Sequence, residues 1–300
     1  MKKGIYLVLI TAVISGFANF FNKFVMQAVG KNAFQYTTLK NVVVALILSL
    51  VILSPMILSK LKKLSAKDWG KLALIGLIGG SFPFLLFFKG LSLTSAVNAS
   101  FIHKTLFIWV AILAWPVLKE KITKLQFLAL GLLLFGNIIF EGFKGFSWGY
   151  AESLILIATL LWAIENVIAK IALRQLDSTV LAWGRMFFGS IILLGFLAVT
   201  DNTASLFTLN FSQIGWILLV SAFLTGYVLT WYAALKKLPA TIVTCFLVLA
   251  SPITTFLNSA FVTHQLKGQN IWGAIIIVSA ILLFWRLKPK ANYATKPAKI

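Results

Sequence analysis

Long apolar runs alternate with short polar segments along almost the whole chain. A helix needs about 20 mostly apolar residues to cross about 30 Å of bilayer hydrocarbon. Ten runs reach this length, and although Met1–Lys3 with its apolar sequel resembles a signal peptide, we expect the first run to be retained as a span. We therefore predict an all-α integral membrane protein with ten transmembrane helices, at residues 4–26, 35–54, 70–89, 94–117, 124–141, 148–171, 180–200, 212–234, 240–262 and 269–286.

Composition narrows the possible functions. Hydrophobic residues make up 60% of the 300 residues and charged residues only 11%, whereas a globular protein carries about 25% charged residues. The single Cys245 excludes a disulfide framework, and His103 and His264 lie too far apart in the chain to suggest a zinc site. Because the chain has no phosphate-binding glycine loop, no nucleophile elbow and few carboxylates, we expect no enzymatic activity, no metal and no cofactor.

The net charge of +20 is compatible with nucleic-acid binding, but the basic residues lie in short loops between apolar runs. If the N-terminus is cytoplasmic, the external loops hold Lys31, Lys89, Lys144 and Lys267, and the cytoplasmic segments hold Lys2, Lys3, Lys60, Lys62, Lys63, Lys67, Lys71, Lys119, Lys121, Lys124, Arg174, Lys236, Lys237, Arg286, Lys288, Lys290, Lys296 and Lys299. This bias follows the positive-inside rule and predicts a multi-pass protein of the cell's inner (plasma) membrane with both termini in the cytoplasm. Its partners are then membrane lipids and a small-molecule substrate, and no nucleic acid.

The two halves of the chain carry similar segments in the same order. The segment S-G-F-A-N-F-F-N-K (15–23) aligns with W-A-I-E-N-V-I-A-K (162–170), so that Asn19 matches Asn166. Each half holds five spans, and because five is odd the second copy enters the membrane from the opposite side. We predict two inverted five-helix repeats, at 4–141 and 148–286, followed by a disordered cytoplasmic tail at 287–300.

Motifs in both halves are typical of one family. They are W-A-I-E-N-V-I-A-K (162–170), Arg185, K-G-L-S-L-T-S-A-V-N-A (89–99), L-K-E-K-I-T-K-L-Q (118–126), G-L-L-L-F-G (131–136), A-L-K-K-L-P-A (234–240), L-A-S-P-I-T (249–254) and Q-N-I-W-G-A (269–274). In this order the chain resembles the drug/metabolite transporter superfamily, specifically its ten-helix EamA-type transporters. The resemblance implies a secondary carrier, often an exporter of amino acids or other small metabolites.

Three positions depart from the pattern of that family and leave the substrate open. His264 stands where the family commonly has an acidic residue after span 9, and Lys40 stands where it commonly has an arginine early in span 2. The pair His103-Lys104 lies in a part of span 4 that is typically apolar or contains proline.

Lys104 is the deepest predicted cation. It lies about ten residues into span 4, so about 15 Å of helix separates it from the external end. A charge near the bilayer centre costs about 2.5–3.5 kcal/mol, and we expect Lys104 to face a cavity, the alternatives being a tilted span or a structural ion pair. Its neighbour His103 would face another span, as a candidate for proton coupling. On a continuous helix the residues on the face of Lys104 are Val97, Ser100, Phe101, Ile108 and Ala111.

Other polar residues fall inside spans as well. Glu165 is a candidate proton or cation relay, or else the partner of Lys170 or Lys104. Asn19 and Asn166 are candidates for hydrogen bonds to substrate, or else for bonds between helices. The remaining cations near span ends are expected to snorkel to the headgroups, with a substrate-attracting rim as the alternative, and they are Lys23, Lys40, Lys170 and Arg185.

Aromatic residues in spans 3 and 8 suggest an amphipathic or aromatic pocket. Tyr227 and Trp231 lie in span 8, and Phe87 of span 3 occupies the position that corresponds to Trp231. Lipid-facing packing is the alternative for all three. Pro83 and Pro252 are expected to kink spans 3 and 9 and to free backbone carbonyls that a cavity or a neighbouring helix must satisfy.

We predict a secondary transporter of small metabolites, either amino acids or organic anions, that exports by alternating access around a central cavity. The alternatives are a flippase for lipids or lipid-linked sugars and a non-transporting membrane scaffold, and the protein is expected to be a monomer or a homodimer. The predicted substrate-binding residues are Lys104, His103, Asn19, Asn166, Glu165, Tyr227, Trp231, Phe87 and Ser100.

Overall fold

All the regular structure that the computed structural model describes is helical. The described residues are 2–30, 32–142, 148–200, 206 and 208–287, without the side chains of residues 23, 96 and 97. The predicted ten transmembrane spans are confirmed, and we number them in chain order. They are Lys2–Val29, Ala33–Ile52, Ala66–Leu91, Asn98–Leu118, Lys124–Glu141, Tyr150–Ala172, Ser178–Val199, Phe211–Lys237, Ala240–Thr263 and Gly268–Arg286. Of the predicted tail at 287–300, only Leu287 lies within the described residues.

Local sequence determines where several spans begin. Spans 2, 3, 5 and 8 each start at a capping box, in which the side chain before the helix and the third helical residue bond each other's backbone amides. The capping pairs are Asn32 with Gln35, Ser65 with Asp68, Thr123 with Gln126, and Asn210 with Gln213. A short helix, Pro55–Leu61, occupies the connection between spans 2 and 3, which the hydropathy pattern treats only as a loop.

Three spans are not continuous α-helices. Span 3 consists of Ala66–Ile75, a π-helical segment at Gly76–Ser81, and Phe82–Leu91. Span 4 belongs to two helices, Ala96–Lys104 and Leu106–Leu118. Span 9 is divided into Ala240–Leu247, Ala250–Asn258 and a π-helical end at Ser259–Thr263.

The breaks in spans 4 and 9 are equivalent. In the register that aligns Phe87 with Trp231, Thr105 of span 4 corresponds to Leu249 of span 9. Non-helical backbone at membrane depth is tolerated only where protein or a water-filled cavity surrounds it. Paired discontinuous helices therefore indicate a cavity near the middle of the membrane, between the two halves.

The two five-helix halves form one packed body. Span 1 packs against spans 8 and 9, span 3 against span 6, span 5 against span 10, and span 7 against spans 2 and 3. Each of these pairs joins one half to the other, so the core lies between the repeats rather than inside either one.

Spans 3 and 7 approach each other closely in this core. A Cβ atom built on Gly80 would lie 2.3 Å from the backbone oxygen of Arg185, and one built on Gly189 would lie 2.6 Å from the oxygen of Gly80. We expect Gly80→Ala to destabilise the protein by about 1–3 kcal/mol, because the two backbones must move apart. The measurement is thermal unfolding of the purified protein in detergent.

Gly70→Ala in the same span is the matched control for Gly80→Ala. Nothing lies within 4 Å of a Cβ built on Gly70, so alanine there should leave the unfolding temperature unchanged or raise it slightly through its better helix propensity. Equal unfolding temperatures for Gly80→Ala and the wild type would contradict the described contact.

Candidate functional site

A cavity of about 220 Å³ lies between the two repeats, and its wall comes from spans 1–4 and 6–9. Each half thus contributes four spans, and spans 5 and 10 stay outside. The cavity touches both equivalent helix breaks, through Lys104 and Leu106 in span 4 and Val248 in span 9. Eight predicted substrate-binding residues lie in its wall, namely Lys104, His103, Asn19, Asn166, Glu165, Tyr227, Trp231 and Phe87.

The ninth predicted residue, Ser100, does not line the cavity. Its hydroxyl donates a hydrogen bond to Oε1 of Glu141 at 2.9 Å. The expected cavity face of span 4 is wrong for a related reason, because the helix does not continue through Thr105 and the wall contains Leu106 and Phe107 instead. Phe101, Ile108 and Ala111 are not in the wall, and the side chain of Val97 lies outside the described residues.

Lys104 is the last residue before the break in span 4. The Thr105 hydroxyl donates to the carbonyl of Ile102 at 2.6 Å and accepts from Nε1 of Trp109 at 3.0 Å, which holds the turn at the break. The Lys104 side chain lines the cavity. Within the described ranges, its ammonium has neither a hydrogen bond nor an ion pair with any other residue. Lys104 is therefore a cation with donors available to an occupant of the cavity.

His103 packs among aromatic rings on the cavity wall. Its ring centroid lies 4.9 Å from that of Trp162 and 5.3 Å from that of Phe87, both in edge-on arrangements. Nδ1 of His103 is buried and has no hydrogen-bond partner among the described residues. The imidazole thus presents one unused polar atom within an otherwise aromatic part of the site.

Lys40 is a cavity residue that the sequence reasoning placed elsewhere. The predicted snorkelling is wrong for Lys40, since its side chain lines the cavity and the residue is only 5% exposed. Its ammonium donates to Oδ1 of Asn22 at 3.2 Å and lies over the rings of Tyr36 and Phe88, at 5.1 Å and 5.8 Å from their centroids. The sequence feature that could have indicated a role for Lys40 is its position, because the family commonly has an arginine there.

Arg185 and Glu165 are two buried charged residues that lie close together in the cavity wall. Glu165 is 1% exposed, and its Oε1 accepts a hydrogen bond of 2.5 Å from the hydroxyl of Tyr232. Both charged side chains lie against Gly79, where a Cβ would come within 2.9 Å of the Glu165 carboxyl carbon and 3.1 Å of Nε of Arg185. Snorkelling is therefore also wrong for Arg185, which is 6% exposed and reaches into the protein.

Pro83 explains where the Arg185 guanidinium binds. Proline has no N–H, so Pro83 cannot donate the α-helical hydrogen bond to the carbonyl four residues earlier, that of Gly79 in the π-helical segment of span 3. That carbonyl accepts instead from Nη2 of Arg185 at 2.9 Å and from Nε1 of Trp162 at 3.1 Å. The kink in span 3 thus creates the acceptor that positions two side chains of the cavity wall.

Asn166 and Asn19 occupy matching positions but different environments. Asn166 donates to the carbonyl of Trp162 at 2.8 Å and accepts from Nε1 of Trp231 at 3.1 Å, so its amide connects spans 6 and 8. Trp231 in turn stacks on Tyr227 with ring centroids 5.7 Å apart. Asn19 is exposed and also lines a groove between spans 1 and 9, together with Phe20, Thr254, Thr255 and Asn258.

The turn between spans 8 and 9 is held by two charged residues, Glu120 from the connection between spans 4 and 5 and Lys170 from span 6. The Glu120 carboxylate accepts from the backbone amides of Ala240 and Thr241, at 2.7 Å and 3.2 Å, and from the Thr241 hydroxyl at 2.8 Å. Lys170 donates to the carbonyls of Leu235 and Leu238 at 2.6 Å and 2.7 Å. An anion at a helix start and a cation at a helix end are both stabilising. We call Glu120, Lys170 and residues 235–241 the clamp.

Lys170 therefore does not snorkel either, while the side chain of Lys23 lies outside the described residues.

Other loops at the same end are joined by Lys236, which donates to the carbonyl of Leu176 at 2.8 Å, and by the ion pair of Lys60 with Asp177 at 2.7 Å. Burial raises the pKa of Asp177, but hydrogen bonds from Lys60 and from the Thr179 amide outweigh it and hold that pKa below its usual value.

The opposite end of the bundle has a different arrangement at the equivalent turn. His264, which corresponds to Glu120, is exposed and ends span 9 in a left-handed conformation with φ of 51°. The start of the span 4 helix is capped by Ser95, whose hydroxyl accepts from the amide of Asn98 at 3.1 Å. The described residues thus show an acidic cap on span 9 that comes from the connection between spans 4 and 5, and a local cap on span 4.

Comparisons with known proteins agree with this architecture. The sequence model of the EamA-like transporter family matches residues 2–141 and 149–286. An uncharacterized transporter of Clostridium kluyveri is 25% identical, over 99% of this chain and 98% of that protein, and the uncharacterized transporter YyaM of Bacillus subtilis is 26% identical over 75% and 74%. A protein of known crystal structure superimposes with a TM-score of 0.79 at 14% identity, over 96% of this chain and all of the other, which shows the shared fold. The chain, a multi-pass membrane transporter, belongs to the EamA-like transporter family.

Proposed function

We propose that the protein is a secondary transporter that exports a small anionic or zwitterionic metabolite by alternating access of the cavity between the repeats. The observation that carries the proposal is the Lys104 ammonium, which lines that cavity without a hydrogen bond or ion pair among the described residues. A cation inside a membrane is costly unless an anion or water compensates it. An anionic substrate supplies that compensation when it binds.

The rest of the wall supports a substrate that is polar at one end and apolar in its body. Aromatic rings surround the polar groups, and the seven Phe, Tyr and Trp residues that line the cavity are Phe84, Phe87, Phe88, Phe107, Trp162, Tyr227 and Trp231. Small-molecule sites in proteins are commonly apolar pockets with a few polar groups that fix orientation. The hydroxyl and amide groups of Ser15, Asn19 and Asn22 offer further hydrogen bonds from span 1.

The lysine-rich end of the bundle is the cytoplasmic end in this proposal, as the positive-inside rule requires for the plasma membrane. The clamp lies at that end, about one helical turn from Thr244 in the cavity wall. Asn22, Lys40 and Phe88 lie within about two turns of the other end of their spans. We propose that this conformation is closed to the cytoplasm and that the clamp opens when the transporter faces inward.

The test of this function uses purified protein in proteoliposomes and a panel of labelled metabolites. Lys104→Ala is expected to lower the uptake of an anionic substrate at least about tenfold, because the loss of a charged hydrogen-bond donor costs about 1.5–3 kcal/mol. Lys104→Arg keeps the charge and is expected to retain part of the activity. Initial uptake rates over a range of substrate concentrations give the comparison.

Lys89→Ala is the matched control, since Lys89 is an exposed lysine one span away from Lys104. Its transport should equal that of the wild type. Wild-type transport by both Lys104 variants would mean that Lys104 is structural, and uptake equal to that of empty liposomes across the panel would refute the transporter proposal.

A lipid flippase is the second candidate, because the groove between spans 1 and 9 shares Asn19 with the cavity. A lipid could then bind with its headgroup in the cavity and its acyl chains in this groove. A dye-labelled phospholipid in the same proteoliposomes separates the two functions, since a flippase moves the lipid between leaflets and a metabolite carrier does not. A non-transporting scaffold shows neither activity, and it gives no account of an unpaired cation in an internal cavity.

A further inference from the structure

We infer that the substrate is a small dianion, with two negatively charged groups separated by an apolar spacer. The inference rests on the proposed transport function and adds the charge and shape of what is carried. It follows from the charges that face the cavity and from the order of the side chains between them.

The charges in the cavity wall do not balance. Among the described residues, the strongly basic side chains in the cavity wall are Lys40, Lys104 and Arg185, and the only carboxylate is Glu165. Glu165 and Arg185 lie together against Gly79, so the one negative charge of the wall offsets one of its three positive charges. Two ammonium groups remain, those of Lys40 and Lys104, and neither is paired with a carboxylate in the part of the chain that the structure describes.

The groups nearest to the two ammoniums are uncharged or already bonded. Lys40 contacts the amide of Asn22 and the faces of Tyr36 and Phe88. Glu141 is the carboxylate whose negative charge attracts the Lys104 ammonium. It accepts a hydrogen bond from Ser100, however, and does not line the cavity. A monoanion in the cavity would therefore leave one buried ammonium without a counter-ion, and a dianion would compensate both.

An aromatic strip leads from the Lys40 ammonium to His103, the residue before Lys104. The Lys40 ammonium lies 5.8 Å from the Phe88 centroid, the Phe88 and Phe87 centroids are 5.6 Å apart, and Phe87 and His103 are 5.3 Å apart. Lys104 follows His103 directly in the chain. A ligand whose apolar middle packs on this strip can place one anionic group at each ammonium, and the unpartnered Nδ1 of His103 adds a polar contact at the Lys104 end.

The test compares ligands that match in length and differ in charge. Succinate and adipate are the dicarboxylate probes, butyrate and hexanoate are their monoanionic counterparts, and glycerol 3-phosphate is a dianion with a phosphate group. Binding to the purified wild type is measured by the ligand-dependent rise in unfolding temperature, which reports affinity by mass action. We expect a dianion to bind at least about tenfold more tightly than the monoanion of the same length.

The variants Lys40→Gln and Lys104→Gln test whether the preference for dianions depends on the two ammonium groups. Each removes one of the two cations, so each should reduce the affinity ratio of dianion to monoanion at least about tenfold, with a smaller effect on the monoanion. Without ligand, neither variant should unfold at a much lower temperature than the wild type, because neither ammonium has an ion pair to lose among the described residues. Lys89→Gln should leave the ratio unchanged.

The outcomes separate this inference from the proposed function. A preference for dicarboxylates or for the phosphate ester supports the inference and distinguishes the two oxyanion chemistries. Transport of monoanions or neutral metabolites with no preference for dianions overturns the inference and leaves the transport function standing. A dianion preference that survives both glutamine variants also overturns it, whereas only the absence of transport across the whole panel of labelled metabolites refutes the proposed function itself.

Discussion

Glu165→Ala is expected to destabilise the protein by about 3–5 kcal/mol and to abolish transport, because it leaves the Arg185 guanidinium buried without a nearby anion. Arg185 is 6% exposed, and its only hydrogen bond within the described residues is the one from Nη2 to the Gly79 carbonyl. The Tyr232 hydroxyl also loses its acceptor, the Glu165 carboxylate. Thermal unfolding in detergent and uptake into proteoliposomes measure the two effects.

A double-mutant cycle tests whether the two charges act as a pair. Arg185→Met alone leaves the buried Glu165 carboxylate without its neighbouring cation and should be about as destabilising as Glu165→Ala. Combining Arg185→Met with Glu165→Ala removes both charges, and this double variant should be more stable than the sum of the single changes predicts. Strict additivity would show that the two charges do not stabilise each other.

Glu141→Gln is the matched control for this cycle. Glu141 also lies in a span and accepts a hydrogen bond from a hydroxyl group, that of Ser100, but it is not in the cavity wall. A glutamine there can still accept this bond, so we expect a loss of no more than about 1.5 kcal/mol. A loss as large as that of Glu165→Ala would show that any buried carboxylate in this bundle has the same effect.

The sequence predicts the spans well because the bilayer imposes a simple rule. Any helix that crosses it must contain a long apolar run, and the ten runs of this chain coincide with the ten helices. The matching segments around Asn19 and Asn166 also point to the right architecture, since the family model matches both halves. Membrane depth then predicts cavity residues such as Lys104 and Glu165, because a charge in mid-span must avoid lipid.

Side-chain direction is what the sequence does not determine. The expected cavity face of span 4 assumes a continuous helix. The helix is interrupted at Thr105, so the side chains after Lys104 lie on other faces than a continuous helix would give them. Lys40 and Arg185 lie close enough to span ends to snorkel, yet Lys40 turns toward Asn22 and Arg185 toward the Gly79 carbonyl. That carbonyl lacks an α-helical donor at Pro83, and both residues lie in span 3 while Arg185 lies in span 7. The direction of the Arg185 side chain therefore depends on a tertiary contact that the sequence around Arg185 does not show.

Glu120→Ala is expected to open the lysine-rich end of the bundle, because it removes all three hydrogen bonds that the carboxylate accepts at the start of span 9. Loss of a helix cap of this kind costs about 0.5–2 kcal/mol, which is enough to shift a conformational equilibrium by up to about thirtyfold. Lys170 would still hold the carbonyls of Leu235 and Leu238, so the turn should open without unfolding.

The protein contains its own reporter for this opening. Cys245 is its single cysteine, lies one helical turn after Thr241, and is 1% exposed. We expect a membrane-impermeant maleimide added at the lysine-rich end to label Cys245 about tenfold faster in Glu120→Ala than in the wild type. A Cys245→Ser variant should show no labelling, which establishes that the signal comes from this thiol.

His264→Ala is the matched control, since position 264 corresponds to Glu120 but lies exposed at the other end of the bundle. Its labelling rate should equal that of the wild type. If Glu120→Ala also labels at the wild-type rate, the clamp does not close the cavity at that end, and the proposed closure must come from another contact. If it labels faster and binds substrate from the lysine-rich side, the clamp is the gate that alternating access must open, and the cap from Glu120, between spans 4 and 5, couples the first repeat to the second.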